Sequence, residues 1–341
     1  MPIGYYKGLL WSGLSCLGLL VGYYYYCLPP VEIVELASET EYHFEQVDGP
    51  IQPIPRSMVS NVKWVQLGKA LFNSTLLSSD NSISCASCHL LDYGGDDGLP
   101  LSLGVGSLLG ERNSPSVFNS VFNFRQFWDG RSHNLAEQIA EPIHNPNEMA
   151  TNWQDVISKL KQDPEFNQAF STISSEGITQ QAIVKAIRLF EESLITPNAP
   201  IDLYLLGNKS ALTLQQQRGY AKFSNFGCST CHQGINIGGN LYQKLGRIDR
   251  MPAKLLDDLG RYELTKNIED KYVFKVPSLR NVADTAPYFH NGSVATLEEA
   301  VIIMAQGQLG LSLSQEDVND LVAALKSFSG RPYTEVPHAS R

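Results

Sequence analysis

The chain has 341 residues, of which 43% are hydrophobic and 18% charged, and its formal net charge is −9 at pH 7. The length suggests two domains, and the composition is ordinary for a globular protein. The negative net charge argues against a nucleic-acid partner, since nucleic-acid-binding surfaces are basic. It is compatible with a positively charged redox partner.

The first predicted element is an uncharged, apolar stretch at residues 8–31. It is long enough to span a bilayer, and the four tyrosines at 23–26 suit a membrane interface. A cleaved signal peptide is the alternative, but tyrosines and prolines make a poor cleavage site. We predict a membrane anchor or signal segment at residues 1–31, an extended tether at 32–60, and an exported body.

Two Cys-x-x-Cys-His runs follow, Cys85-Ala86-Ser87-Cys88-His89 and Cys228-Ser229-Thr230-Cys231-His232. This run is the attachment signature of c-type haem, in which two thiols add to the vinyl groups and the next histidine ligates the iron. Paired cysteines also bind zinc, but no further Cys/His cluster completes a tetrahedral set. We therefore predict two covalent haem c groups, with His89 and His232 as proximal ligands.

A Gly-x-Ala-x-Phe pattern precedes each run, at residues 68–72 and 219–223. This repetition suggests two related cytochrome c modules, and a Thr-Pro-Asn-Ala-Pro linker at 196–200 separates them. We place an N-terminal haem domain at 61–200 and a C-terminal haem domain at 201–341. Apolar spacing predicts helices from near residue 152, at 183–190, at 297–306 and at 315–328.

Further motifs surround both haem sites in a fixed order. They are Arg112-Asn113-Ser114-Pro115, Phe127-Trp128-Asp129-Gly130-Arg131, Asn145-Pro146-Asn147-Glu148-Met149, Val276-Pro277-Ser278-Leu279-Arg280-Asn281-Val282 and Thr285-Ala286-Pro287-Tyr288-Phe289-His290-Asn291-Gly292. Over roughly residues 60–330, the chain resembles the bacterial di-haem cytochrome c peroxidase family, which includes the methylamine-utilisation type of di-haem protein oxidase. The resemblance implies reduction of hydrogen peroxide to water, with electrons from a small cytochrome c or a cupredoxin.

The resemblance implies that the first haem site is the peroxidatic one, with His89 as its proximal ligand. The family's distal glutamate falls on Glu148 and its neighbouring glutamine on Gln138. A carboxylate in that place moves a proton from one peroxide oxygen to the other, while the glutamine orients the peroxide. Phe127 is expected to line the peroxide pocket, and Trp128 to lie between the two haems and assist electron transfer.

At the second haem, the resemblance places Met304 opposite His232 as the distal ligand. A thioether opposite histidine raises the reduction potential, and the protein-oxidase branch uses a tyrosine there instead. The family also holds a calcium ion between its domains. Its ligands fall on the Asn113 side chain and the carbonyl oxygens of Thr285 and Pro287, with water completing the shell.

One position departs from the family. Many members carry a blocking histidine in a Ser-Ile-Gly-His-Gly loop, whereas this chain has Ser102-Leu103-Gly104-Val105-Gly106. Valine cannot ligate iron, so we predict an open first site that needs no reductive activation. His133 and His144 are the remaining candidates for that ligand and are interpreted as surface residues; His290 is interpreted as structural or haem-contacting.

These observations predict a mainly α protein with two cytochrome c-like haem domains in tandem and an N-terminal transmembrane helix. Its predicted location is the periplasm, tethered to the inner membrane. Two alternatives stay open: a di-haem protein oxidase that modifies a tryptophan or tyrosine of a partner protein, and a non-catalytic di-haem electron carrier. A homodimer is also left open.

Overall fold

A computed structural model describes residues 39–332 of the chain. The membrane anchor predicted at residues 8–31 lies outside this range. Among residues 39–332, no helix combines the length and the apolar character that crossing a bilayer requires.

Helices dominate the described residues, and the predicted mainly α class is confirmed. The α-helices are α1 (Val62–Phe72), α2 (Cys85–Cys88), α3 (Leu135–His144), α4 (Trp153–Gln162), α5 (Pro164–Ile173), α6 (Gln180–Ser193), α7 (Pro200–Leu205), α8 (Leu214–Asn225), α9 (Tyr262–Thr265), α10 (Leu297–Leu309) and α11 (Gln315–Lys326). The strands form two antiparallel pairs, β1 (Glu41–Tyr42) with β2 (Met58–Val59) and β3 (Tyr242–Lys244) with β4 (Val273–Lys275).

Each half of the protein contains a helix pair whose closest approach depends on a glycine. A Cβ atom at Gly68 of α1 would lie 1.9 Å from the carbonyl oxygen of Ala186 in α6. A Cβ atom at Gly219 of α8 would lie 1.8 Å from the carbonyl oxygen of Asp320 in α11. Only glycine lets the two backbones approach so closely. The glycine of the repeated Gly-x-Ala-x-Phe pattern therefore sets the helix crossing in both halves.

The phenylalanine of the same pattern packs beside the histidine of the motif that follows it. The ring centroids of Phe72 and His89 are 6.5 Å apart, and those of Phe223 and His232 are also 6.5 Å apart. Both phenylalanines are buried in the hydrophobic core. The pattern thus couples each helix crossing to the position of one imidazole.

The two halves have separate hydrophobic cores. One core is drawn from residues 64–194, and the other from residues 199–328 together with Ile51. The predicted domain boundary at residue 200 lies one residue past Ala199, which already belongs to the second core, and the division into two domains stays a prediction.

The linker predicted at residues 196–200 is largely buried, with Asn198 exposed. Thr196 is fully buried, its Oγ1 donates to Asn281 Oδ1 at 2.8 Å, and it accepts from Asn119 Nδ2 at 2.8 Å. Since Asn119 and Asn281 come from the two halves, the linker is fixed on both sides.

The tether predicted at residues 32–60 stays a prediction. Most of residues 43–50 are exposed, whereas Tyr42 Oη donates to the Glu192 carbonyl oxygen at 2.7 Å and the segment from Ile51 onwards packs against the body. Three apolar side chains of this segment are buried: Ile51, Ile54 and Met58. Burying them removes apolar surface from water, which favours packing of this segment against the rest of the protein.

Candidate active site

The first Cys-x-x-Cys-His motif opens onto a cavity of about 630 Å³. The short helix α2 carries both cysteines, and the Ser84 backbone N–H donates to Ser87 Oγ at 2.9 Å at its start. Cys85, Cys88 and His89 all line the cavity. The motif therefore presents two thiols and an imidazole to one space.

His89 is arranged as a neutral ligand. Its Nδ1 lies 3.2 Å from the Gly95 carbonyl oxygen, and since a carbonyl only accepts, Nδ1 carries the proton and Nε2 keeps its lone pair. Burial lowers the pKa of His89. An uncharged imidazole with a free Nε2 is the form that ligates iron.

Gln138 and Glu148 line the same cavity as His89. Gln138 lies on α3, and Glu148 lies in the turn that follows this helix, where its N–H donates to the Asn145 carbonyl oxygen at 3.0 Å. Burial raises the pKa of Glu148, and a 2.7 Å hydrogen bond from Asn145 Nδ2 to its Oε1 opposes that rise. A buried carboxyl group with one hydrogen-bond donor is the type of group that acts in general acid–base catalysis.

Phe127 forms part of the same wall and adopts a backbone φ of +67°. That region is unfavourable for a bulky residue, so its surroundings must hold it there. The guanidinium of Arg131 lies 3.4 Å from the centroid of the Phe127 ring and also pairs with Asp129 at 3.2 Å. Arg131 and its partner thus fix the aromatic ring at the cavity.

Among the residues that line the first cavity, the histidine is His89 alone. The loop that carries Val105 is fixed beside the Glu148 turn, because the Val105 N–H donates to the Glu148 carbonyl oxygen at 2.8 Å. His133 is exposed and pairs with Glu137 at 2.9 Å, and His144 is also exposed. Neither of these two histidines lines the cavity.

The second motif opens onto a separate cavity of about 280 Å³, lined by Cys228, Cys231, His232 and Met304. Met304 reaches it from α10. Burial lowers the pKa of His232 to about 4, so the imidazole is neutral. The histidine and the methionine that the resemblance pairs therefore line one cavity.

Glycine at residue 238 lets the backbone beside His232 approach Pro277 closely. A Cβ atom at Gly238 would lie 2.1 Å from the Pro277 carbonyl oxygen and 3.3 Å from His232 Nδ1. The φ of +132° at this position also favours glycine.

The donor set fits haem c better than zinc. Cys85, Cys88, Cys228 and Cys231 are free thiols, and burial raises the pKa of Cys88 and Cys228 to about 11. Zinc requires converging ligands, yet within residues 39–332 no three His, Cys, Asp or Glu side chains converge on a metal position. Each motif instead offers two thiols and one imidazole beside a cavity.

The two cavities share a wall that contains Trp128 and Lys275. Trp128 Nε1 donates to the Asn113 carbonyl oxygen at 2.9 Å, and the Lys275 N–H donates to the Trp128 carbonyl oxygen at 2.8 Å. His290 is buried and packs edge-on to Trp128, with ring centroids 6.3 Å apart. Trp128 therefore lies in the wall between the two cavities.

Asn113, Thr285 and Pro287 all line the second cavity. Asn113 Nδ2 donates to the Leu99 carbonyl oxygen at 2.9 Å, and none of the described residues donates to Asn113 Oδ1. The side-chain oxygen of Asn113 is therefore available to a cation.

Sequence reasoning missed Asn145, Arg131 and Lys275 as residues of the site. Asn145 and Arg131 belong to runs that carry the family resemblance, but only the structure shows what they contact. Lys275 had a signal of its own, since it is a lone charge within the apolar run Val273-Phe274-Lys275-Val276.

The chain is similar to several known proteins. The family described as di-haem cytochrome c peroxidase matches residues 62–210. Cytochrome c peroxidase Ccp of Escherichia coli is 46% identical over 296 residues, which cover 85% of this chain and 64% of that protein. Cytochrome c551 peroxidase of Pseudomonas aeruginosa is 42% identical over 305 residues, covering 86% of this chain and 88% of that protein.

Solved structures give the same relationship at greater distance. The crystal structure of a MauG-like protein associated with microbial copper homeostasis matches with a TM-score of 0.72 at 26% identity. The match covers 87% of this chain and 95% of that one.

Proposed function

The chain belongs to the di-haem cytochrome c peroxidase family, and from that premise we propose that it reduces hydrogen peroxide to water with electrons from a small cytochrome c or a cupredoxin. Relatives at 46% and 42% identity are named cytochrome c peroxidases. The observation that carries the proposal is that Glu148 and Gln138 line the same cavity as His89.

Two haem c groups would be held by the two motifs. Cys85 and Cys88 would form the thioethers at the first site, and Cys228 and Cys231 those at the second. When bound, haem c supplies one-electron redox chemistry and, where an axial position is free, a binding position for a small molecule.

The chain's own residues supply proton transfer at the first site. Glu148 accepts a proton from one peroxide oxygen and delivers it to the other, so that the departing oxygen leaves as water. Gln138 orients the peroxide by hydrogen bonding, and Asn145 holds the Glu148 carboxyl group in place through its 2.7 Å hydrogen bond. In all, two electrons and two protons convert one peroxide molecule into two of water.

The second site receives the electrons one at a time. His232 and Met304 would ligate its iron, and a thioether opposite histidine raises the reduction potential. Trp128, which lines both cavities, lies on the route between the sites. This division gives the sites different tasks, proton-coupled chemistry at one and electron supply at the other.

We also propose that the enzyme works without prior reduction. Support comes from Val105 in the place of the family's blocking histidine and from the exposed positions of His133 and His144. His89 is the only histidine among the described residues that line the first cavity, so no second imidazole there would compete with peroxide for the iron.

A protein oxidase is the second candidate function. The MauG-like protein of known structure is related to this chain at 26% identity, below the 46% and 42% of the named cytochrome c peroxidases. The protein-oxidase branch uses a tyrosine as ligand of the second haem, and Tyr288 and Met304 both line the second cavity. A variant with Tyr288 changed to phenylalanine that keeps the spectrum of the second haem would exclude Tyr288 as the ligand.

Three finer features complete the proposal. A calcium ion would be held by the Asn113 side-chain oxygen and the carbonyl oxygens of Thr285 and Pro287, since oxygen donors and retained water suit calcium. The protein would lie in the periplasm, anchored by residues 8–31, and it would form a homodimer. Cell fractionation, metal analysis and light scattering test these features separately.

The function itself is tested by mixing the oxidised, haem-loaded protein with hydrogen peroxide and a reduced small cytochrome c. Sustained oxidation of two cytochromes per peroxide, without pre-reduction, is expected. A protein with two haems and no peroxide turnover would overturn the proposal and leave the electron carrier as the better interpretation.

A further inference from the structure

Lys275 is a buried cation without a partner. The residue is 7% exposed, and its side chain has no hydrogen bond or ion pair with any described residue. Burial lowers its pKa to about 8, and no neighbouring charge contributes to that shift. Lysine is almost never fully buried unless it is paired, so this position calls for an anion that the chain does not supply.

The other cations in the walls of the two cavities already have carboxylate partners. Arg112 pairs with Asp258 at 2.6 Å, and Arg131 pairs with Asp129 at 3.2 Å. Arg280, in the second cavity, pairs with Asp202 at 2.7 Å. Among the described residues that line either cavity, Lys275 is the Lys or Arg left without an anion.

The position of Lys275 is fixed from two sides. Its N–H donates to the Trp128 carbonyl oxygen at 2.8 Å, and in the β3–β4 pair it lies opposite Tyr242. The preceding residue, Phe274, stacks on His290 with ring centroids 4.5 Å apart. The backbone of Lys275 is thus held at the wall that both cavities share, and its side chain lines both of them.

The charged residues are unevenly distributed on that shared wall. The residues that line both cavities are Asn113, Ser114, Pro115, Ser116, Asn123, Phe127, Trp128 and Lys275. Lys275 is the charged member of this set. An anion that enters either cavity close to Trp128 therefore meets one positive charge, and that charge has no competing partner.

We propose that the Lys275 ammonium binds a propionate carboxylate of a haem at the wall between the two sites and thereby raises the reduction potential of that haem. The inference rests on the proposed function only in that the two cavities hold haem c. Haem brings two carboxylates, and its thioethers and histidine account for its other attachments. A cation beside a buried haem stabilises the added electron of the reduced form, because electrostatic interactions are strong where water is excluded.

Pairing with a carboxylate also favours the protonated, charged form of Lys275. A buried amine without a counter-ion tends to lose its proton, whereas an adjacent carboxylate favours the charged form. The same pairing satisfies the propionate, which would otherwise be a buried anion near an aromatic wall.

The test compares Lys275→Met, Lys275→Arg and wild type in the haem-loaded full chain. Haem content is counted first, and the potential of each haem is then measured by spectroelectrochemical titration. We expect Lys275→Met to shift the reduction equilibrium of at least one haem about tenfold towards the oxidised form, which is about 59 mV for one electron. Lys275→Arg, which keeps the charge, should shift it far less.

Lys222→Met is the matched control, because Lys222 pairs with Asp317 at 2.8 Å and lines neither cavity. Its potentials should equal those of wild type. Unchanged potentials in Lys275→Met with both haems attached would overturn the inference.

If Lys275→Met fails to retain both haems, a crystal structure of the haem-loaded wild-type protein decides the question. Lys275 Nζ within 4 Å of a propionate oxygen supports the pairing, and Nζ directed at any other group overturns it. Neither readout uses peroxide turnover. A two-haem protein that does not reduce peroxide would contradict the proposed function while the potentials still decide the role of Lys275.

Discussion

Asn145 Nδ2 donates a 2.7 Å hydrogen bond to Glu148 Oε1 in the wall of the first cavity. The two residues lie three positions apart in the turn after α3, so the hydrogen bond is formed within one short segment. It stabilises the charged carboxylate against the burial that raises its pKa. The balance between these two effects sets the pH range in which Glu148 can accept a proton.

Replacing Glu148 by glutamine should lower peroxide turnover by about 10²- to 10⁴-fold, which is the usual contribution of a general acid–base group. The amide keeps the shape of the side chain but cannot move a proton. Peroxide-dependent oxidation of reduced cytochrome c measures the effect, with haem content and spectra unchanged.

Glu137→Gln is the matched control for that variant. Glu137 lies on the exposed side of α3, where it pairs with His133, and it lines neither cavity. Its turnover should be that of wild type. Equal turnover in wild type and Glu148→Gln would remove Glu148 from the mechanism.

Replacing Asn145 by alanine should move the acidic limb of the pH–rate profile to higher pH. Without the hydrogen bond the charged carboxylate loses a stabilising donor, so the pKa of Glu148 rises further. Since turnover needs the carboxylate form, activity should then be lost at a higher pH as the solution is acidified. Steady-state rates across the pH range give the position of the limb.

Asn152→Ala is the control for this prediction, because Asn152 Nδ2 also donates to a carboxylate three residues later, Asp155 Oδ2, at 2.7 Å. That pair is exposed and lies outside both cavities. The limb should not move in this variant. A limb that stays in place in Asn145→Ala would mean that the observed acid limb belongs to another group.

Replacing Met304 by leucine should lower the potential of the second haem and slow its reduction, because the thioether ligand is lost while the volume of the side chain is nearly kept. Potentiometric titration with optical spectra measures the effect. Met251→Leu is the control: Met251 is buried in the same core and packs near Gly307 of α10, but it does not line the cavity. Identical potentials in both variants would contradict the assignment of Met304.

Replacing Gly68 or Gly219 by alanine should destabilise the haem-loaded protein by about 1–3 kcal/mol or more, as overpacking typically does. The added methyl group would lie within 2 Å of a carbonyl oxygen on the crossing helix in either case. Denaturant unfolding measures the loss. Gly110→Ala is the control, since the nearest atom to its Cβ would lie at 3.5 Å, and comparable stability in all three variants would contradict the crossing argument.

Local features of the sequence are enough to propose the haem attachment sites. The Cys-x-x-Cys-His runs are contiguous, so their chemistry can be inferred without a fold. The repeated Gly-x-Ala-x-Phe pattern suggests two related modules, and that division stays a prediction. The helix crossing that its glycine permits became visible only with the partner helix, because α1 and α6 are separated by more than a hundred residues.

What escaped prediction depends on contacts between distant residues. In the sequence, Lys275 is a single charge in an apolar run. Its place beside Trp128, in the wall that both cavities share, is visible only in the folded protein. Residues 32–60 look like a tether because they contain few long periodic stretches, whereas the contact between Tyr42 and Glu192 joins residues far apart in the chain.

We propose that the two haem sites are unequal, with an open first site and a second site closed by Met304. Val105→His supplies the reference for a closed first site, since it restores the family's blocking side chain in the loop beside Glu148. Electron paramagnetic resonance of the fully oxidised wild-type protein is the most direct measurement. We expect one high-spin and one low-spin ferric haem. Two low-spin haems without a high-spin signal would contradict the inequality of the two sites.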